Sequence, residues 1–168
     1  MKVRIFDSIG KDIANKTVLD LYAGAGSFAL ESLSRGAKEA TLVEASKQAD
    51  LVIRKNIAHT GFLPQAEVIK SKVEDFISKN KNTGATWDII FMDPPYKLYN
   101  TKRVFKMQET INSISKFLPG VQNPDKKQFK GVLIIKHPRR YPIDTLKLEH
   151  IKKVDTYEFG LNSISMYI

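Results

Sequence analysis

Thr17-Val18-Leu19-Asp20-Leu21-Tyr22-Ala23-Gly24-Ala25-Gly26-Ser27 is the stretch on which the fold turns. Its first six residues are β-branched, aliphatic or aromatic except for Asp20, and they read as a strand. The glycines that follow permit a tight turn and let a ligand approach the backbone closely. Gly26 to Arg35 then reads as a helix, with Phe28, Leu30 and Leu33 apolar. Arg35-Gly36 closes it with a cation and a terminal glycine. Strand, glycine turn and helix form the first unit of a wound α/β sheet.

The alternation continues on both sides of this unit. Ala40 to Glu44 is a second strand. Ser46 is placed to cap a helix running to about His59, with Ala49, Val52, Ile53 and Ile57 as its apolar face and Gly61 as its end. Glu67 to Lys70 is a third strand, and Val73, Phe76 and Ile77 mark a short helix. Trp87 to Met92 is a fourth strand, with Trp87 a core residue. Residues 101–117 carry Val104, Met107, Ile111 and Ile114 at helical spacing, and Pro119 to Lys130 reads as a polar loop. Gly131 to Lys136 is apolar on both faces, as a central strand is. Ile151 to Tyr157 and Ser163 to Ile168, joined at Gly160-Leu161-Asn162, form a hairpin. The expected fold is a mostly parallel, doubly wound, Rossmann-like α/β sheet of seven strands closed by a C-terminal antiparallel hairpin. Residues 1–168 make one domain. Residues 1–16 are too few for a domain and are expected to pack on the sheet as a helical turn.

Composition narrows the function classes. No apolar run approaches the roughly 18 residues that span a membrane, and the first residues, Met1 to Phe6, lack the apolar core of a signal peptide. A cytoplasmic location is expected. The absence of cysteine excludes disulfides, thiol catalysis and cysteine zinc sites. His59 and His150 lack metal-ligand spacing, so no metal is expected. His137 reads as a structural histidine, and Tyr22 and Phe28 as packing groups.

The net charge of +9 is unevenly placed. Residues 1–96 hold 13 Lys/Arg against 12 Asp/Glu, and residues 141–168 hold 3 against 4. Residues 97–140 hold 11 against 2, a local net of +9. Such a block suits a polyanion. Lys97, Lys102, Arg103, Lys126, Lys127, Arg139 and Arg140 are the candidate backbone contacts of a nucleic acid.

That basic block starts directly after Asp93-Pro94-Pro95-Tyr96, which closes the fourth strand. The prolines fix φ and remove backbone donors. A carboxylate, backbone carbonyls and an aromatic face remain, which are acceptors for N–H groups and a platform for a flat ring. Asp93 and the Pro94 carbonyl can take the two N–H bonds of a planar amine while Tyr96 stacks on its ring. A base inside a duplex cannot reach such a clamp, so the target must be unpaired or flipped out.

The glycine turn and Glu44, 18 residues after Gly26, suit a nucleoside cofactor whose ribose hydroxyls bond the acid. Gly24-x-Gly26-x-x-Ala29 also fits the dinucleotide fingerprint. Asp20 favours S-adenosylmethionine, because its carboxylate can hold a cationic amino-acid tail and would repel a pyrophosphate. The amine clamp has no role in hydride transfer and points the same way.

Asp20 to Ser27, Glu31-Ser-Leu-Ser-Arg-Gly-Ala37, Val43-Glu44, Asn56 and Asp93-Pro94-Pro95-Tyr96 resemble the RsmD-like family of bacterial 16S ribosomal RNA guanine-N2 methyltransferases. The likeness covers about residues 2–136 and implies the class I methyltransferase fold. It implies S-adenosylmethionine held by Asp20, Gly24, Gly26, Ser27, Glu44 and Asp93, and catalysis by Asp93, Pro94 and Tyr96. The partner it implies is ribosomal RNA or the small ribosomal subunit, met by a monomer. Two departures stand out. The family carries an N-terminal basic β-hairpin arm, whereas this chain begins at the helix expected to follow it. Where many relatives place an aspartate near the adenine amine, Lys72 stands here, so the adenine contact is expected from Lys72 and the backbone at Val73.

Overall fold

The computed structural model describes residues 2–100, 102, 104–122 and 131–168. Seven strands form one sheet: β1 (Thr17–Leu21), β2 (Glu39–Glu44), β3 (Ala66–Lys70), β4 (Ile89–Met92), β5 (Val132–Pro138), β6 (Lys153–Phe159) and β7 (Asn162–Tyr167). Their order is β3-β2-β1-β4-β5-β7-β6. The first five are mutually parallel, and β7 is antiparallel to both its neighbours. The hairpin therefore docks through its later strand, leaving β6 at the edge.

The helices are α1 (Lys2–Ile9), α2 (Ser27–Ser34), α3 (Lys47–Thr60), α4 (Val73–Asn80), α5 (Val104–Ser115) and the short α6 (Pro119–Gln122). They cover both faces of the sheet. One core layer joins Ile5 and Phe6 of α1, Phe28 and Leu33 of α2, and Ile53 and Ile57 of α3 to Val18, Ile89, Phe91 and Ile134. The opposite layer joins Val73 and Phe76 of α4 and Met107, Ile111 and Ile114 of α5 to Leu19, Leu21, Ile90 and Leu133. Central strands carry apolar residues on both faces because both faces are covered. Chain order reverses between β1 and β4, so the carboxyl ends of these two neighbours open a crevice.

Local chemistry sets the element ends. Ser46 Oγ accepts the Ala49 N–H at 3.3 Å, and Gly61, at φ 78°, closes α3 with its N–H on the Ile57 carbonyl. The inward stripe of α3 is Asp50, Ile53 and Ile57. Val52, expected on that face, is exposed, since it sits about 100° round the helix from Ile53. The fourth strand begins at Ile89, two residues later than the apolar run suggests. Trp87 N–H bonds the Phe117 carbonyl and Asp88 N–H bonds Thr17 Oγ1, so neither N–H joins the ladder, to which Asp88 lends only its carbonyl, accepting the Val132 N–H. Trp87 still packs in the core, edge-on to Phe117 with ring centroids 5.5 Å apart. Conversely β5 runs two residues beyond its apolar stretch, because β7 pairs Lys136 with Ile164, His137 with Ser163 and Pro138 with Asn162. Of the expected loop from Pro119, the first four residues form α6 and 123–130 lie outside the described residues.

Candidate active site at the carboxyl ends of the strands

The glycine turn lies directly above β1. Tyr22 and Gly24 both adopt positive φ, 60° and 58°, and Gly26 follows at 76°. A Cβ on Gly26 would come within 2.9 Å of Leu42 Cδ2, so it would have to displace that buried side chain as well as hold a strained φ. The turn is tied down from three sides. Gly26 N–H bonds the Ala23 carbonyl at 2.8 Å, Ala23 N–H bonds the Val43 carbonyl at 3.1 Å, and Asn56 Nδ2 of α3 donates to the Ala25 carbonyl at 3.0 Å. Glu44, at the end of β2, holds the turn through Gly24 N–H at 2.9 Å to Oε2. Its other oxygen accepts the Ser46 N–H at 2.8 Å. Each carboxylate oxygen retains further acceptor capacity.

An open cleft of about 720 Å³ runs from this turn across the sheet end. Such a volume suits a small-molecule ligand. Its walls include Tyr22, Gly24, Val43 and Glu44 on one side, Ser71, Lys72 and Val73 at the base of α4, and Asp93, Pro95 and Lys97 on the other. Gly24, Glu44, Lys72, Val73 and Asp93 are thus brought together. Gly26 and Ser27 stand behind the wall, supporting the turn and the start of α2.

Asp20 does not line the cleft. It is buried, 1 % exposed, and accepts the Ala29 N–H at 3.1 Å. Alternation along β1 sends Asp20 to the side of α2 while Leu19 and Leu21 enter the opposite core layer. It anchors the helix, which corrects the expectation that it faces a cationic tail. Tyr22 packs against the layer of Leu19 and Leu21, as expected, and also forms part of the cleft wall; burial followed by the nearby Glu74 charge raises its phenol pKa. Phe28 does pack, stacked on Phe91 at 4.8 Å.

The Asp93-Pro94-Pro95-Tyr96 segment leaves β4 with Asp93 N–H on the Leu21 carbonyl. Pro94 is buried and Pro95 exposed. Three contacts that sequence reading missed pin the segment to β5 and β7. Lys136 Nζ donates to Asp93 Oδ2 at 2.8 Å. Tyr99 donates its hydroxyl to the Lys136 carbonyl, and its ring packs edge-on to Tyr141 at 4.9 Å. Burial, then the Asp93 charge, raises the Tyr99 pKa, which keeps that hydroxyl a donor. Tyr96 donates its hydroxyl to Asn162 Oδ1 at 2.6 Å. One signal was legible: Lys136 is the lone charge ending an all-apolar central strand, where ligands bind in such sheets.

Tyr96 faces a second groove, of about 670 Å³, walled by Pro138, Arg139, Arg140, Gly160 and Leu161. The basic residues divide accordingly. Lys97 lines the first cleft, Lys102 is exposed beside it in sequence, and Arg139 and Arg140 line the second groove. Arg103, Lys126 and Lys127 lie outside the described residues. His137 is buried, with ring nitrogens 3.0 Å from the Pro138 carbonyl and from Ser165 Oγ, a structural placement. Among the described residues, no group of three acidic or histidine side chains is placed to hold a metal ion, and no helix is long and apolar enough to cross a membrane.

Comparison with known proteins gives this geometry a family. The family model described as Conserved hypothetical protein 95 matches residues 1–168. Ribosomal RNA small subunit methyltransferase D of Buchnera aphidicola is 33% identical over 112 residues, covering 67% of this chain and 57% of that protein. Ribosomal RNA large subunit methyltransferase I of Klebsiella pneumoniae is 29% identical over 113 residues, 67% of this chain and 28% of that protein. The chain thus spans about half the length, or less, of these curated relatives. The crystal structure of the SAM dependent methyltransferase from Agrobacterium tumefaciens superposes with a TM-score of 0.72 at 17% identity, covering 99% of this chain and 61% of that one, a likeness of fold. With the whole sequence matched and the turn, Glu44, Asn56 and Asp93-Pro94-Pro95-Tyr96 assembled at one end of the sheet, the chain belongs to the Conserved hypothetical protein 95 family, the RsmD family.

Proposed function

We propose that the chain transfers a methyl group from S-adenosylmethionine to the exocyclic N2 amine of a guanine in small-subunit ribosomal RNA. The observation that carries this reading is the position of the Asp93–Tyr96 segment. Asp93 lines the cleft that holds Glu44, while Tyr96 lines the groove behind it, so the segment separates a cofactor-sized space from a basic one. Glu44 at the end of β2 supports ribose recognition, and Lys72 and Val73 at the base of α4 support contact with the adenine. The names of the relatives support ribosomal RNA as substrate.

A purine amine is a poor nucleophile, because its lone pair is delocalised into the ring. Asp93 and the Pro94 carbonyl accept its N–H bonds and hold the nitrogen toward tetrahedral geometry. The lone pair then points at the sulfonium methyl. The C–S bond breaks as the N–C bond forms, and the sulfonium charge is neutralised. The proton of the methylated amine leaves to Asp93 or to water. Orientation and preorganised acceptors supply most of the acceleration, and Lys136 fixes the acceptor itself.

The test is transfer of a tritiated methyl group to undermethylated ribosomal RNA of both subunits, naked and assembled, with the product nucleoside identified. N2-methylguanosine in small-subunit RNA is expected. N6-methyladenosine would replace the substrate assignment, and no transfer to any RNA would end the reading.

A further inference from the structure

We propose that the groove between Tyr96, Arg140 and the β6–β7 turn is the docking path of an unpaired RNA strand. In this assignment Arg140 holds a backbone phosphate and Arg139 serves as a strut of the wall. The inference rests on RNA as the substrate and divides two neighbouring arginines that composition treats alike.

The groove is built rather than incidental. Tyr96 is 63% exposed, yet its hydroxyl is fixed by Asn162 at 2.6 Å. An exposed aromatic ring already held at its tip loses little freedom when a base stacks on it. The facing wall is the turn Gly160-Leu161, where Leu161 is 84% exposed. Arg139, directly after β5, braces this end of the hairpin twice. Arg139 N–H bonds the Leu161 carbonyl at 2.8 Å, and the Arg139 guanidinium pairs with Glu158 at 2.7 Å. The charge of Arg139 is thereby compensated within the protein.

Arg140 differs in the one respect that matters to a polyanion. It is exposed, it lines the same groove, and it has no acidic partner among the described residues. An aromatic face, a short apolar wall and one uncompensated guanidinium match a nucleotide with a splayed base and a charged backbone. Single strands present such bases, and duplexes keep theirs stacked inside. Arg is suited to phosphate because its fork gives two parallel bonds. Tyr96 closes the segment that Asp93 opens, so a base stacked on its ring from this groove is the one brought to the clamp.

The experiment is fluorescence anisotropy on the full chain without methyl donor, using a labelled 12-nucleotide oligouridylate and its duplex with oligoadenylate. Wild type is expected to favour the single strand. Arg140→Glu is expected to weaken that binding about tenfold or more and to lower the salt slope by about one, while Arg140→Lys keeps most of the affinity. Tyr96→Ala is expected to cost about tenfold through lost stacking. Glu158→Ala, which releases the Arg139 cation, is expected to leave binding equal or tighter. Unchanged affinity and salt slope in Arg140→Glu would overturn the assignment, as would equal binding of the duplex. A dimer in sedimentation that Arg140→Glu dissociates would give the groove to a second copy instead. Because no methyl transfer is measured, loss of the methyltransferase reading and loss of this surface appear in different assays.

Discussion

The Lys136 ammonium lies 2.8 Å from Asp93 Oδ2, joining β5 to the first residue of the Asp93-Pro94-Pro95-Tyr96 segment. Both side chains are partly buried, at 23% and 30% exposure, so the contact is sheltered from solvent without being sealed from it. It fixes the direction of the carboxylate that the proposed reaction uses as an acceptor. Replacing Lys136 by Met is expected to lower kcat about a hundredfold, the scale of a 1 Å misplacement. KM for the methyl donor should change little. Lys136→Arg should recover part of the loss. Steady-state kinetics on both variants checks this, and a rise in the donor KM with kcat intact would place Lys136 in cofactor binding instead.

Glu44 bridges the Gly24 and Ser46 N–H groups. Glu44→Gln keeps the volume but replaces one carboxylate oxygen by a donor facing those N–H groups. Affinity for S-adenosylmethionine is expected to fall at least tenfold by titration calorimetry, since the proposed ribose contact would lose an acceptor. A chain that binds the donor as tightly without this carboxylate has its ribose contact elsewhere.

Gly26 combines a positive φ with a neighbour 2.9 Å from where a Cβ would stand. Gly26→Ala is expected to cost about 1–3 kcal/mol of stability in urea unfolding. Gly10, also at positive φ but with open space around it, serves as the control, and Gly10→Ala should cost less. Equal losses at the two positions would assign the penalty to backbone conformation alone.

His137 is buried between β5 and β7, and burial lowers its pKa below the ordinary value near 6.5. The unfolded chain therefore binds the proton more readily than the folded one. This contribution is fully present above about pH 6.5 and is lost as pH falls toward the lowered native pKa. Urea midpoints at pH 7.5 and 5.5 should differ more for wild type than for His137→Gln. The slope removed is at most about 1.4 kcal/mol per pH unit.

What could be read before the fold was known followed from local grammar. The turn after β1, the Ser46 and Gly61 caps of α3 and the apolar β5 are written in adjacent residues, and each appears where adjacency places it. Long-range pairings were not legible. Lys136 meets Asp93 across 43 residues and Asn162 meets Tyr96 across 66. Nothing in either neighbourhood announces its partner. The side to which Asp20 points was hidden for a different reason. A strand covered on both faces lacks the polar–apolar alternation that would mark which residues share a side.

The place of β7 ties the Tyr96 ring to the hairpin. β6 can join the sheet only through β7, although β7 comes later in the sequence. The five parallel strands pair without the hairpin, which joins them as one unit through β7 on β5. Asn162 travels on that unit. A half-assembled chain can thus possess the turn, Glu44 and the Asp93 carboxylate while its Tyr96 ring still swings unheld. The hold on the Tyr96 ring thus depends on the hairpin, whereas the hold of Glu44 on the turn does not.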